Sequence, residues 1–251
     1  MRLPLLFLCV GLCLSCKERQ PSSSSPAQDL VDKSIVAAGG ERHRNSDIGF
    51  YFRDIHYSAT WENGKRILKR KMEKDTATIV DVMYPDSLAR FVNGQFVPVP
   101  DTTALKYANS INSVHYFAYL PYGLNDAAVN KAYLGREELK GVNYHKVQVT
   151  FDEEGGGTDH DDVYLYWFHP NTHLPDYLAY EFHVDGGGQR FREAYNPRWV
   201  EGIRFVDYRN YRPKGNTGPI QDIGVKYEKG ELELLSKIEL KQVQVSAGSY
   251  N

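Results

Sequence analysis

The sequence predicts a mainly β, α+β fold built from antiparallel strands, and three observations predict it. Between Thr150 and Tyr211, aromatic-rich runs of strand length are separated by Gly, Pro and Asn-Asp punctuation, the pattern of a meander. Two Asn-Gly pairs, Asn63-Gly64 and Asn93-Gly94, each sit between strand-like runs, and Asn-Gly is a strong hairpin signal. One long stretch, Thr102 to Ala118, has no turn residues other than Asn and Ser, and places side chains at helical spacing.

The elements follow in order. Asp29 is a candidate N-cap for a helix over Leu30 to Ala38, stopped by Gly39-Gly40. Asp47 to Trp61 reads as a strand, and Lys65 to Met72 returns from the Asn63-Gly64 turn as a very basic one. Its lysines suit a solvated edge strand better than a phosphate or headgroup site. Thr76 to Met83, Leu88 to Val92 and Gln95 to Val99 read as further strands. Asp101 then caps the long helix. On it Leu105, Ala108, Asn109, Asn112, Tyr116 and Tyr119 fall near one face, and Pro121 ends it. Leu124 to Tyr133 reads as a second short helix and Tyr144 to Phe151 as a strand. Gly224 to Tyr227 and Leu232 to Val245 close the chain as one short and one long strand.

The strand Val163 to His169 is apolar on both faces, with Val163, Leu165 and Trp167 on one and Tyr164, Tyr166 and Phe168 on the other. A one-sided antiparallel sheet shows a clean polar face. Both faces are therefore expected to be covered, one by the core and the other by the helical insertion or a ligand.

The chain has 251 residues, 41% hydrophobic, 13% aromatic and 25% charged, enough for one sizeable core. Its net charge of −2 comes with no large block of one sign, so a nucleic-acid partner is not expected. All 3 cysteines, Cys9, Cys13 and Cys16, lie near the N-terminus. Disulfides, a nucleophilic thiol and cysteine-ligated metal are thereby excluded from the rest of the chain.

Met1-Arg2 and the apolar run Leu3 to Leu14 have the form of a signal peptide. The run is too short to span a bilayer comfortably. Leu14-Ser15-Cys16, followed at once by Lys17-Glu18-Arg19, resembles the lipobox of bacterial lipoproteins, with Cys13 where a leucine is usual. The resemblance implies cleavage before Cys16, lipidation of its thiol, and attachment of the protein to a membrane through an N-terminal lipid anchor. The expected organisation is a signal peptide over 1–15, an anchor and flexible tether over 16–28 containing Ser22 to Ser25, and a single β-rich domain over 29–251. The expected location is the cell envelope of a Gram-negative bacterium, at the outer membrane, with periplasmic and surface faces both open.

A helix ending in Gly-Gly, a long antiparallel series, Leu174-Pro175 after a turn, and Trp199-Val200-Glu201-Gly202-Ile203 before a strand resemble the lipoprotein-carrier class of half-barrels, the LolA and LppX type. That resemblance implies a strongly curved antiparallel sheet, or half-barrel, wrapped around a few helices and leaving an apolar cavity for acyl chains. The segments Ser113 to Phe117, Leu120 to Asp126, Asp176 to Tyr180 and Arg190 to Asn196, with Gly155-Gly156-Gly157 and Asp159-His160, are also similar to an uncharacterised family of Bacteroidota lipoproteins. No activity transfers from that likeness.

Candidate sites follow from this architecture. Tyr116, Tyr119, Tyr122, Trp167, Tyr180 and Tyr195 are candidates to line an apolar pocket, although each is also explained by core packing. Arg190, Arg192 and Arg204 lie on adjoining strands with Glu193 and Asp207, which favours cross-strand pairing. An inward Arg192 would instead hold a carboxylate or phosphate headgroup bidentately. Asp159 to Asp162 form the densest polar cluster, and His115, His160, Asp161 and Asp162 are the metal-ligating candidates. A solvated Gly-Asp turn explains the cluster more simply. No Gly-x-Ser-x-Gly elbow, phosphate loop or dinucleotide fingerprint occurs, so no cofactor and no catalytic residue is assigned.

The leading expectation is a non-catalytic, lipid-anchored envelope protein that binds or carries an amphipathic or hydrophobic, lipid-like ligand. An envelope enzyme performing metal-assisted hydrolysis is the second reading. A structural or assembly lipoprotein with an envelope protein as partner is the third, and it calls for a broad exposed apolar patch.

Overall fold

The computed structural model describes residues 25–157, 160–183, 186–215 and 217–248. The signal peptide and Cys16 lie outside the described residues, as does Asp159.

Helix α1 spans Pro26–Ala37, with Ser25 as N-cap. The Ser25 side chain accepts from the Gln28 backbone N–H at 3.2 Å, and Pro26 occupies the first turn, where its missing N–H costs nothing. The helix therefore starts four residues before Leu30, inside the stretch read as tether. Ala27, Leu30 and Val31 bury its inner face. It stops at Gly39, whose φ of 129° favours glycine; a Cβ there would meet the Gly202 carbonyl at 2.9 Å.

Six strands follow: β1 (Ser46–Phe52), β2 (Ile55–Glu62), β3 (Lys65–Lys74), β4 (Ala77–Tyr84), β5 (Ser87–Val92) and β6 (Gln95–Val97). The run read as one strand over Asp47 to Trp61 is thus a hairpin, turned at Arg53 and Asp54 with φ of 50° and 62°. Asn63-Gly64 and Asn93-Gly94 make the expected turns, all four residues at positive φ.

Helix α2 spans Asp101–Ala118, with Pro100 rather than Asp101 in the cap position. Strands β7 (Val129–Leu139), β8 (Val142–Phe151), β9 (Val163–Phe168), β10 (Pro175–Phe182), β11 (Gly188–Val200) and β12 (Ile203–Pro213) come next. The short helix expected over Leu124 to Tyr133 is a 3₁₀ turn at Tyr122–Asn125 that leads into β7. Pairing of Val129 to Leu139 with β8 overrides the local helical pattern.

The stretch read as a strand at Gly224 to Tyr227 lies in helix α3 (Ile223–Glu228), which packs Ile223 and Tyr227 against the sheet. A short apolar run does not by itself distinguish helix from strand. The long final strand is in fact two, β13 (Leu232–Ile238) and β14 (Lys241–Ala247), broken at Glu239-Leu240.

The strands form two antiparallel sheets of seven, ordered β14-β1-β2-β3-β4-β5-β6 and β13-β12-β11-β10-β9-β8-β7. The two meet where β13 hands the chain to β14. There Asp207 Oδ1 accepts from the Leu240 N–H and from Arg198 Nη2, both at 3.0 Å, while Arg198 Nη2 also donates to the Leu240 carbonyl at 2.6 Å. The mainly β, curved-sheet class read from the sequence therefore holds, with the curved wall divided into two sheets around α2.

β3 is interior, paired to β2 and β4, and not an edge strand. Arg66 and Arg70 turn from it toward α2. Outward, Lys69 pairs with Glu62 at 3.5 Å and Lys71 with Glu73 at 3.3 Å. Ion pairs at Lys69, Arg70 and Lys71 offset part of the charge of this strand.

The second sheet is covered on both faces, as its two-sided apolar pattern requires. Tyr166, Phe168, Leu178 and Tyr208 pack under α1 and the segment after α2. Leu165, Trp167, Tyr177 and Phe191 pack under α3. Among the described residues no helix is long and apolar enough to cross a membrane.

Candidate functional site

Helix α2 is clamped to the first sheet by charge. Asp81, 0% exposed, accepts from Arg70 Nε at 2.7 Å and from Arg90 Nε and Nη2 at 2.7 and 2.9 Å. Each arginine then reaches α2, Arg70 through the Ser110 hydroxyl and Arg90 through the Tyr107 hydroxyl, both at 3.1 Å. Ile111, His115 and Ala118 bury the helix toward this sheet.

Opposite the clamp, α2 presents Ser113, Val114 and Phe117 to the second sheet without closing on it. A cavity of about 410 Å³ remains between them. Binding cavities for small organic ligands run from about 300 to 1,000 Å³. Strand alternation supplies its main wall: Tyr164 of β9, Tyr180 and Phe182 of β10, Arg190 and Arg192 of β11, and Tyr208 of β12. Phe52 and Arg53 at the end of β1, with Ile238 and Leu240 at the corner between sheets, line the rest. The rings form a ladder, with Phe117 and Tyr180 at 5.6 Å and Tyr164 stacked on Tyr180 at 5.5 Å. A smaller recess of about 100 Å³ shares Ser113, Phe117 and Tyr164 and runs to Gly156 and Gly157.

Among the charged groups in this wall, Arg192 and Asp162 are buried. Arg192 is 7% exposed. Its Nη2 donates to the Tyr180 hydroxyl at 2.9 Å, and its guanidinium carbon lies 3.9 Å from the Phe117 ring centroid.

The family described as "Family of unknown function (DUF6503)" matches residues 5–240. The chain belongs to the DUF6503 family. Among curated proteins, none matches the sequence. The crystal structure of a DUF1329 family protein from Desulfovibrio piger is 10% identical and covers 90% of this chain and 96% of its own, with a TM-score of 0.51, so the two share a fold. A LolA superfamily protein from Nitrosomonas europaea is 12% identical over 90% of this chain and 94% of its own, with a TM-score of 0.45. An outer membrane lipoprotein-sorting protein domain from Vibrio parahaemolyticus is 5% identical over the same shares, 90% and 94%, with a TM-score of 0.47.

The DUF6503 cavity gathers some of the residues singled out from the sequence and not others. Tyr180 and Arg192 line it, and Tyr116 lines the smaller recess, its hydroxyl 3.0 Å from that of Tyr166. Tyr119 and Tyr122 instead turn toward the first sheet, with the Arg66 guanidinium 4.5 and 5.9 Å from their rings. Trp167 is buried on the opposite face of the second sheet, under α3. Tyr195 donates to Glu239 at 2.7 Å and lies outside the lining.

The charged set on β11 and β12 divides the same way. Arg204 pairs with Asp176 at 3.6 Å, Asp207 with Arg198 at 3.0 Å, and Glu193 with Arg209 at 3.2 Å. Arg192, on the opposite face from Glu193, is left in the cavity wall.

The metal-ligating candidates do not converge. His115 is enclosed by Phe50, Tyr57 and Tyr119. His160 bonds the Gly157 carbonyl and pairs with Asp161 at 3.3 Å, and Asp162 pairs with His183 at 3.5 Å. No group of three His, Cys, Asp or Glu able to hold a metal ion occurs among the described residues. Burial and the Arg66 charge lower the His115 pKa to about 3, only partly offset by its bond to the Lys69 carbonyl, so the ring is neutral at physiological pH.

Phe117, Tyr164, Phe182 and Tyr208 are lining residues the sequence reading did not select. Parity on the strands was the available signal. Tyr164 lies directly opposite Tyr180 in the β9–β10 register, so choosing Tyr180 selects Tyr164 as its neighbour on the same face.

Proposed function

We propose that this protein is a lipid-anchored envelope protein that binds an amphipathic ligand in the cavity between α2 and the second sheet, without transforming it. The observation that carries the reading is the cavity itself, aromatic and aliphatic along much of its wall and amphipathic through Arg53, Asp162, Arg190 and Arg192. A chain that buries both faces of its second sheet and pins α2 to its first has the means to fill this space with side chains. It keeps the space open where Phe117, Tyr164 and Tyr180 expose their rings to one another.

The lipobox reading at Cys16 complements this arrangement. Under it a mature chain tethered by lipid presents the cavity close to a membrane, where amphiphiles are most concentrated. The chain from Pro26, where α1 begins, acts as the single binding domain.

Native mass spectrometry of the full-length protein extracted from the cells that make it tests the reading. A non-covalent adduct of lipid-like mass, released by gentle activation and absent from a Ser113→Trp variant, is the expected result. Ser113 borders both the cavity and its smaller recess, so an indole there obstructs the space. A wild-type chain that carries no adduct and takes up no added amphiphile would refute it.

A further inference from the structure

We propose that Arg192 reads the head of the bound ligand, so that the cavity selects an amphiphile whose single polar end is an oxyanion, a carboxylate or a phosphate. This rests on the cavity being a ligand site and names the class of ligand.

Four observations converge on the residue. Arg192 sits in the wall of the cavity at 7% exposure, away from bulk water. Of the five N–H donors of a guanidinium, only Nη2 is engaged among the described residues, by the Tyr180 hydroxyl. Nε is buried with no acceptor among the described residues. Among the described residues no carboxylate pairs with it, whereas Arg198, Arg204 and Arg209 on the same two strands are each paired to one; Arg190, in the same wall, packs on Phe182 and donates to the Gln189 carbonyl. Asp162, a carboxylate in the same wall, is engaged by His183 at 3.5 Å.

A buried cation without a counter-charge is costly, and proteins rarely keep one unless something else supplies the anion. The rings of Phe117 and Tyr180, with centroids 3.9 and 5.1 Å from the guanidinium carbon, hold the group in place. They leave its charge unneutralised. Buried charge and planar donors match an oxyanion, which accepts two parallel N–H bonds from arginine. The apolar walls accept the tail. A neutral head, such as an alcohol or an acylglycerol, would satisfy one donor and leave the charge uncompensated.

Calorimetric titration of the delipidated full chain with dodecanoate, dodecyl phosphate and dodecanol tests this, because the three share one tail. At least one of the anions is expected to bind about 10- to 100-fold more tightly than dodecanol, the span of a charge-assisted hydrogen bond. The stronger of the two identifies the head as carboxylate or phosphate. Arg192→Gln is expected to erase the preference, bringing both anions down to the affinity of dodecanol measured on the same variant, and Arg192→Lys to keep part of it. Equal binding of all three, or a preference that survives in Arg192→Gln, would overturn the assignment of the head and leave the cavity reading standing. Failure of the wild type to bind any of the three would overturn both.

Discussion

The Nη2 of Arg192 donates to the hydroxyl of Tyr180 at 2.9 Å, joining β11 to its neighbour β10 across the floor of the cavity. That one bond is the guanidinium's whole hydrogen-bonding account among the described residues. A group kept for stability would show more partners, so the ligand-free protein is expected to gain stability when the charge is removed. Arg192→Met is predicted to raise the urea midpoint of the delipidated protein, corresponding to about 1–4 kcal/mol, with an unchanged denaturant slope. A comparable loss would identify Arg192 as a structural prop.

Filling the cavity at its border separates binding from folding. Ser113 is exposed on α2, and its hydroxyl donates to the Ser110 carbonyl at 3.2 Å. Ser113→Trp is predicted to abolish uptake of a fluorescent fatty acid while changing unfolding free energy by no more than about 0.5 kcal/mol. Denaturation and fluorescence titration of the same preparation check both halves.

The clamp on α2 predicts a larger cost. Asp81→Asn leaves Arg70 and Arg90 beside a neutral amide at a site that is 0% exposed. A loss of about 3–5 kcal/mol is expected, measured by urea unfolding. Ligand affinity should fall with it, because the helix that roofs the cavity loses its anchor.

That clamp also titrates. Desolvation pushes the Asp81 carboxyl upward, but hydrogen bonds from Arg90 and Arg70, together with their charges, hold it below the ordinary 3.8. Its contribution is therefore fully present above pH 3.8 and is lost as pH falls through the lower folded value. His115 acts in a higher window. Its folded pKa of about 3 lies below the ordinary 6.5, so its contribution is full above pH 6.5 and declines as pH falls toward 3. The Lys69 carbonyl, 3.5 Å away, can only accept, which places the ring proton on Nε2 and leaves Nδ1 to accept from the Tyr119 hydroxyl at 2.9 Å. His115→Gln is predicted to reduce, and not abolish, the slope of the stability profile between pH 6.5 and 4, because burial and the Arg66 charge also lower the His43 pKa, to about 4. Chemical denaturation across that range is the check.

Much of this architecture was legible in residues with a single local meaning. Asn63-Gly64 and Asn93-Gly94 gave their hairpins, and the two-sided apolar pattern of Val163 to Phe168 foretold a sheet covered on both faces. The errors fell where tertiary pairing decides. Leu124 to Tyr133 carries a helical pattern but is drawn into β7 by β8. Gly224 to Tyr227 is too short for its period to distinguish helix from strand, and the glycine is needed where the chain approaches Glu137 and Trp167. For the cavity, Tyr180 and Arg192 were accessible by strand parity. Phe117 was not, because α2 is packed from two sides and carries no single apolar stripe. Trp167 shows the same limit in reverse: composition made it a pocket candidate, and only the position of α3 put its face elsewhere.

The most direct test of the central claim is a crystal structure of the delipidated protein soaked with dodecanoate carrying a terminal bromine. The account predicts anomalous density for bromine inside the cavity among Phe117, Tyr164 and Tyr180, with the carboxylate at the Arg192 guanidinium. Bromine bound elsewhere on the molecule, with the cavity empty under saturating ligand, would contradict it.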